Sequence, residues 1–485
     1  MSSKGKEIKT GLVIIGGGGA GLAAAVAAAE KGAKDIVILE SRHVPGGNAA
    51  FVMGILAAES RLQKRMGFEA RRDDIFRIAM DYAHWKINPR LIRSLVDKSG
   101  DTIEWLEEKG LKFEQILIHA PNQVPPTFHR IGGSGKTGAE VVRALVKSCE
   151  DFGVQILCQT RAKHLLTDKD GHVVGVLAES KDNEIIFTAE SVIIATGGFA
   201  GNSDMLNKYL PDYNEEEFHY AGIPHKGEGL LMATEIGAAT DGMVVLEMNG
   251  PDFPGSSYMS VVASQPNTLW LNKKGERFTD ETVSFLFSQS ANTLYRQPDK
   301  ISYTLFDERI KQNIFKEELY PIDKSRLNDT NWPARVDKDL QLHSDKGRVK
   351  ISDSLDEIAK WIGIDPEMMK AEVDEYNSFC DQGHDNLFAK DRMYLLPLRT
   401  PPYYAIQCCI TLLTTHGGIK INHHMEVVDK QDNPIPGLYA AGVETGSNDS
   451  GTYNAHIPGH SFGFTVNSGR IAGENATIFA LAKKH

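Results

Sequence analysis

Cysteine is scarce in this chain of 485 residues: five thiols stand at 149, 158, 380, 408 and 409, and none falls in a C-x-x-C spacing. Iron–sulfur and haem ligation patterns are therefore missing. An odd, sparse set reads as small buried side chains in a reducing compartment. The adjacent Cys408 and Cys409 read as part of a strand, since a disulfide between neighbours is strained. Long apolar runs are missing too. No stretch approaches the ~18 residues that a bilayer span needs, so membrane insertion is not expected. The polar, lysine-bearing Met1–Thr10 has neither the apolar core nor the cleavage site of a signal peptide, which points to a cytoplasmic protein. Tandem repeats and low-complexity tracts are absent. Basic charge is in deficit: 53 Lys and Arg face 64 Asp and Glu, a net −11, which argues against nucleic acid as a partner and leaves small molecules.

What is present is a foldable chain, 41% hydrophobic and long enough for two or three domains. Leu12–Ile15 is a short apolar run ending in four glycines, Ala20–Lys31 is nearly all Ala, Leu and Val, and Asp35–Glu40 is a second apolar run. Strand, glycine turn, small-residue helix and strand make a βαβ unit. Helical spacing follows over residues 70–112. From Val154 to Ala195 the texture turns to β, with a turn at Asp168–Gly171. From about 244 to 415 Pro, Tyr and Asn become commoner, with amphipathic helices at Ser354–Ile362 and Pro366–Cys380, and a final helix is expected at Ser461–Lys483. The fold class is α/β: a Rossmann-type dinucleotide domain, a parallel sheet with a β-meander, interrupted by an α+β cap. The expected boundaries are 1–243, 244–415 for the cap, and 416–485.

The strongest motif is Gly16-x-Gly18-x-x-Gly21 between strand and helix. Gly16 permits the tight turn, Gly18 leaves room for a pyrophosphate, and Gly21 lets helix and strand pack closely. The phosphates then sit on the helix N-terminus. Glu40 follows nineteen residues after Gly21, placed to accept from ribose hydroxyls. The motif alone does not choose between FAD and NAD. Three later features choose FAD: a second glycine loop, Ser41 to Ala50; a strand running into a turn at Ala195, Thr196, Gly197, Gly198 and Phe199; and Ala441-Gly442 followed by a helix from about Ser461. The cofactor set is Gly16, Gly18, Gly19, Ala20, Gly21, Glu40, Ser41, Gly46, Gly47, Asn48, Ala49, Ala162, Ala195, Thr196, Gly197, Gly198, Gly442, Glu444, Ser461 and Phe462.

These residues resemble the flavoprotein family of soluble fumarate reductases, succinate dehydrogenase flavoprotein subunits and 3-ketosteroid Δ1-dehydrogenases, over Leu12 to Ala476. The resemblance implies an FAD domain interrupted by a cap, with substrate between cap and flavin. Covalently flavinylated members carry a histidine in the second glycine loop. Here that loop reads Gly47-Asn48-Ala49-Ala50 and His43 comes too early, so non-covalent FAD is expected.

The fumarate-reducing branch needs a proton-donating arginine in the cap, after a motif matched by Gly275–Glu281. Phe285 occupies its position, and Ser260-Val261 stand where that branch's acid relay would be. The carboxylate-clamping arginine aligns with His456, and a cap histidine with Asn249. Only His416, before Gly417-Gly418, is kept. Two carboxylates cannot be forked without arginines, which excludes fumarate. Pro458-Gly459 is closer to the ketosteroid branch, where tyrosines handle protons; here the candidates are Tyr453 and Tyr258.

The catalytic candidates are thus Tyr453, His416, His456 and Tyr258, with Phe285, Asn249 and His460 in the substrate pocket. Each has a plainer reading. His416 can serve a hinge backbone, His456 and His460 can simply flank a turn, and Tyr453 can be packing. Arg277 and Glu281 read as a structural ion pair. His129-Arg130 and His225-Lys226 have the chemistry to reach a substrate carboxylate or carbonyl but read first as solvated loop charge, and His423-His424 reads as a surface hairpin rather than a metal site. The expected activity is FAD-dependent reduction or formation of a C=C bond α,β to a carbonyl, in an enone, steroid-like or aromatic enoate substrate. Electrons would come from a redox protein or NAD(P)H. The alternatives are an amino-acid or hydroxy-acid oxidase of the L-aspartate oxidase type, and the FAD subunit of an electron-transfer complex.

Overall fold

The computed structural model describes residues 6–117, 125–132, 137–181, 183–316 and 331–483. They divide into two units: Met1–Pro211 with Gly222–Glu247 and Thr414–His485, and Asp212–Ala221 with Met248–Leu413. The chain therefore changes unit at 211/212, 221/222, 247/248 and 413/414.

In the first unit a six-stranded sheet carries the nucleotide motif. Its strands are β1 (Leu12–Ile15), β2 (Ile36–Leu39), β3 (Gln155–Leu157), β4 (Ser191–Ile194), β5 (Glu426–Val428) and β6 (Pro434–Ala440), in the order β5-β6-β4-β1-β2-β3. All neighbours are parallel except β5 with β6. β1, β2 and β4 are buried along their whole length, which explains their uninterrupted Val, Ile and Leu. A four-stranded sheet beside it holds Thr160–Thr167, Val173–Ser180 and Asn183–Thr188 as an antiparallel meander, closed by Lys6–Lys9. The turn at Asp168 forms as expected, its carboxylate accepting from the N–H groups of Asp170 and His172, each at 2.9 Å.

Helix α1 (Gly19–Glu30) is apolar on every side because it is buried on every side. One neighbour is α2 (His460–Ala482). A Cβ on Gly469 would overlap the Ala20 carbonyl, and one on Gly473 the Ala24 carbonyl. Glycine against alanine lets the two backbones touch, and this fixes α2 across the nucleotide motif.

The second unit is built on a sheet in which the long strand Tyr403–Thr415 pairs Ser302–Asp307, Val349–Ser352 and Phe218–Tyr220. Helices Leu355–Ile362 and Pro366–Gln382 cover it, close to the expected spans, with a core that includes Phe306, Trp332 and Tyr376. Cys408 and Cys409 lie in the long strand as free thiols. No helix among the described residues is long and apolar enough to cross a membrane.

Candidate functional site

The glycine turn after β1 is shaped for an anionic ligand. Gly16 takes φ +103°, a conformation that favours glycine, and a Cβ on Gly21 would overlap the Gly16 carbonyl. Gly18 caps α1, and a Cβ built on it meets nothing within 4 Å, so open space lies over the helix N-terminus. No side chain caps that terminus and no acid sits in its first turn, leaving its N–H groups for a ligand. Glu40 is oriented by the Gly17 and Arg42 N–H groups, each 2.8 Å from one of its carboxylate oxygens.

The second loop folds back on the first. Gly46, at φ +125°, donates to the Gly17 carbonyl at 2.8 Å and bridges Gly18. Gly47 opens a short 3-10 turn to Phe51, in which Asn48 accepts from the Ile223 N–H at 2.8 Å and Ala49 is buried beside Gly19. Ser41 is exposed, and Ala162 is buried in the meander. After β4, buried Ala195 leads to Thr196, whose N–H and hydroxyl both bind Glu444, the latter at 2.5 Å. Burial pushes the Glu444 carboxyl up to about 8, against hydrogen bonds from Thr196 and Gly197. Gly197 and Gly442 take φ of +83° and +87°, and Gly198 presses on Thr415. Phe462 at the start of α2 lies against Gly19. Pairs of residues hundreds of positions apart thus line one cradle, and a dinucleotide fits its open helix end and its oriented carboxylate.

A second group in the same unit joins imidazoles, carboxylates and a phenol. His416 directly follows the long strand and is fully buried; its N–H donates to the Val245 carbonyl at 2.9 Å. Its Nε2 lies 2.9 Å from Glu247 Oε2, and its Nδ1 3.3 Å from Asp449 Oδ2. Asp449 Oδ2 is also 3.2 Å from His460 Nε2. Burial alone would lower the His416 pKa, but Asp449 and Glu247 outweigh it and hold the imidazolium up to about 9. Burial would raise Asp449, yet His460 and His416 hold it at about 2. The double glycine after His416 is required by close approach: Gly417 abuts the Gly242 carbonyl and Gly418 the Glu444 backbone.

Tyr453 stands against this group, its ring centroid 4.9 Å from His416 and 5.8 Å from His460. Its hydroxyl accepts from the Ser461 N–H at the start of α2, at 3.2 Å. Burial, with Glu247 and Asp449 nearby, holds the phenol well above its ordinary pKa, so it keeps its proton. Tyr82 donates to the Tyr453 carbonyl at 3.2 Å and packs on the half-buried His456, centroids 5.2 Å apart; burial keeps His456 neutral. Tyr453, His416, His456 and His460 therefore lie in one neighbourhood. Glu247, Asp449 and Tyr82 complete it and carried no sequence signal: Glu247 sits in an ordinary strand and Asp449 in a Ser-Asn-Asp-Ser-Gly stretch that reads as a turn.

The remaining candidates are in the second unit. Asn249 is half-buried on the strand Leu246–Asp252, Tyr258 packs on that unit's hydrophobic core, and Phe285 ends a 3-10 turn with its ring edge-on to Tyr394 at 5.5 Å. Arg277 forks Glu281 with two bonds of 2.9 Å and reaches Asp385 at 2.8 Å, and Lys390 joins Glu281 at 3.0 Å. All four side chains are buried, so the ion pair read from sequence is part of a larger one.

Two expectations need correction. His129 is not loop charge: it lies on the strand Phe128–Ile131, wholly buried, with Nε2 2.6 Å from Ser60 Oγ and Nδ1 2.8 Å from the Thr127 carbonyl. Antiparallel pairing on both sides, to Gly54–Leu56 and to Phe113–Leu117, buries it. His225 is not a solvated side chain either; its Nδ1 is buried. Among the described residues no group of His, Cys, Asp or Glu is arranged to hold a metal ion.

A family model described as an FAD binding domain matches residues 11–456. The chain belongs to that FAD-binding family. It is an FAD-dependent oxidoreductase, and the cradle described above is shaped for a dinucleotide of this kind. Vinyl phenol reductase of Lactiplantibacillus plantarum is 29% identical over 486 residues, covering 96% of each chain. NADH:fumarate oxidoreductase of Klebsiella pneumoniae is 27% identical over 96% of this chain, which spans 47% of that longer relative. In three dimensions the chain matches 3-ketosteroid-Δ4-(5α)-dehydrogenase of Rhodococcus jostii RHA1 with a TM-score of 0.78, at 23% identity and 98% coverage of both chains, a likeness of fold.

Proposed function

We propose that this flavoenzyme reduces a C=C bond conjugated with a carbonyl or aromatic group, on a substrate that lacks the paired carboxylates of fumarate. The observation that carries the reading is Tyr453: a buried phenol that keeps its proton, in ring contact with an imidazolium and bonded at Oη to a helix N-terminus. Its likeness to vinyl phenol reductase, whose named substrate bears its alkene on a phenol ring, supports the class. FAD, when bound, supplies the hydride at N5.

In this reading Gly16, Gly18, Gly21 and Glu40, the Gly46–Ala49 loop, the Thr196–Gly198 turn and Gly442–Glu444 hold FAD without a covalent bond. Tyr453 delivers a proton from Oη to the substrate carbon next to the one that takes the hydride. The Ser461 N–H and the α2 dipole stabilise the phenolate left behind, and the His416 imidazolium restrains its charge. Neutral His456 stands where the resemblance expects a carboxylate-clamping arginine, and Phe285 where it expects a proton-donating one. Neither can fork a carboxylate, which favours a bulkier and less charged substrate. The electron donor is NAD(P)H or a redox protein, and the enzyme works in the cytoplasm.

The test is anaerobic. The holoenzyme is reduced with dithionite and mixed with a vinylphenol, an aromatic enone, cinnamate, fumarate or L-aspartate. Rapid flavin reoxidation by the aromatic alkenes is expected. Reoxidation by none of the alkenes, with peroxide formed from L-aspartate in air, would replace this reading with an oxidase.

A further inference from the structure

His225 lies in Pro224-His225-Lys226-Gly227, ahead of the helix Glu228–Glu235, and both Pro224 and Lys226 are exposed. Its ring turns the other way, onto the cofactor cradle. A Cβ on Gly197 would stand 2.7 Å from Cδ2 and 2.9 Å from Nε2, and one on Gly47 would stand 3.8 Å from Nε2. Gly47 in turn lies beside Gly18, the cap of α1. Two loops of the cradle are thus glycine where the imidazole meets them.

The ring has no partner within the described chain. Nδ1 is buried with no hydrogen bond, and no bond to Nε2 is found among the described residues. A buried donor or acceptor left unpaired is costly, and such atoms call for a partner supplied from outside the chain. Burial pushes the imidazole down to about 4, with the nearby Arg42 charge adding to it, so at neutral pH the ring carries one N–H and one lone pair.

We infer that His225 is a hydrogen-bonding residue for FAD, its imidazole set between the Gly47 loop and the Gly197 turn so that a ring nitrogen meets the bound cofactor. The inference rests on FAD occupying the cradle. A residue acting only by packing would be replaced well by phenylalanine; one acting by hydrogen bonding would not.

The experiment strips FAD from the wild type, His225→Phe, His225→Gln and, as a control, His43→Ala at an exposed histidine on the neighbouring loop. Each apo-protein is titrated with FAD by flavin fluorescence, and the visible spectrum of the complex is recorded. His225→Phe is expected to weaken FAD binding about tenfold and shift the bound-flavin spectrum, the loss of one hydrogen bond that leaves a partner unpaired. His225→Gln should recover most of the affinity, and His43→Ala should match the wild type. Wild-type affinity and spectrum in His225→Phe would overturn the inference, as would a His225→Gln no better than His225→Phe. Where the variants do not fold, the His225 ring-nitrogen resonances of the wild type must move on FAD addition, and unmoved resonances reject the role. A wild-type apo-protein that takes up no FAD would instead refute the cofactor assignment itself.

Discussion

Each unit buries a cluster of ionisable groups, and the two clusters are made of different chemistry. In the second unit a guanidinium and an amine, Arg277 and Lys390, meet Glu281 and Asp385, and the guanidinium also lies over the Tyr376 and Phe388 rings at 5.2 and 5.1 Å. Despite the burial that would raise it, Lys390 and Arg277 keep the Glu281 carboxyl ionised. Burial would lower Arg277, but Glu281 and Asp385 raise it; at Lys390 burial outweighs the pull of Glu281 and lowers it, and the group ties distant segments together. In the first unit the cation is the His416 imidazolium, beside the Tyr453 phenol, and its proton can be exchanged. A cluster of ion pairs specifies a fold; one with a titratable imidazole can also carry a proton.

Breaking the ion-pair cluster should have the largest effect. Arg277→Met strands two buried carboxylates and is expected to cost about 3–5 kcal/mol in urea unfolding. A loss below ~1 kcal/mol would make the cluster incidental. Tyr453→Phe should destabilise by only about 1 kcal/mol, for the Ser461 N–H it leaves unpaired, and slow alkene-driven flavin reoxidation about 100-fold, the scale of a lost general acid. Wild-type turnover would remove Tyr453 from the chemistry. Gly473→Ala forces a methyl into the Ala24 carbonyl and should destabilise by ~2 kcal/mol through overpacking alone, with the reoxidation rate of the folded enzyme retained.

The smallest effect is a pH dependence. His416 is held up at about 9 against an ordinary 6.5, so its contribution is complete below pH 6.5 and is lost as pH rises through about 9. Glu444, raised to about 8 from 4.5, acts in the same direction between those values. The melting temperature of the FAD-saturated enzyme should therefore decline from pH 6.5 to 9. In His416→Gln the decline should be shallower and end near pH 8. An identical profile in the variant would mean that His416 does not hold its proton in the folded protein.

Local patterns made much of the fold readable in advance. The unbroken apolar strands, the alanine-rich helix and the glycine spacing announce a buried parallel sheet and its nucleotide turn. Why α1 has so little bulk became clear only with α2 against it. The candidate site was legible in part. Tyr453, His416, His456 and His460 could be picked out because they flank glycines in the last seventy residues. Glu247 and Asp449 could not, because an acid acquires meaning from the imidazole it meets, and those partners are 169 and 33 residues away in the chain. His129 and His225 were misread for a related reason. Their neighbours in sequence are polar or turn-forming, while their burial comes from strands and glycine loops elsewhere.

The central claim is that His456 and Phe285, standing where the resemblance expects arginines, favour an uncharged conjugated alkene over a dicarboxylate, with Tyr453 as the proposed proton source. The most direct measurement is kcat/KM of the reduced holoenzyme for a vinylphenol and for fumarate under the same anaerobic conditions. The account predicts a ratio of at least about 100 in favour of the vinylphenol, roughly the worth of the charge-assisted bonds a clamp would supply. A ratio near one, or a preference for fumarate, would contradict it.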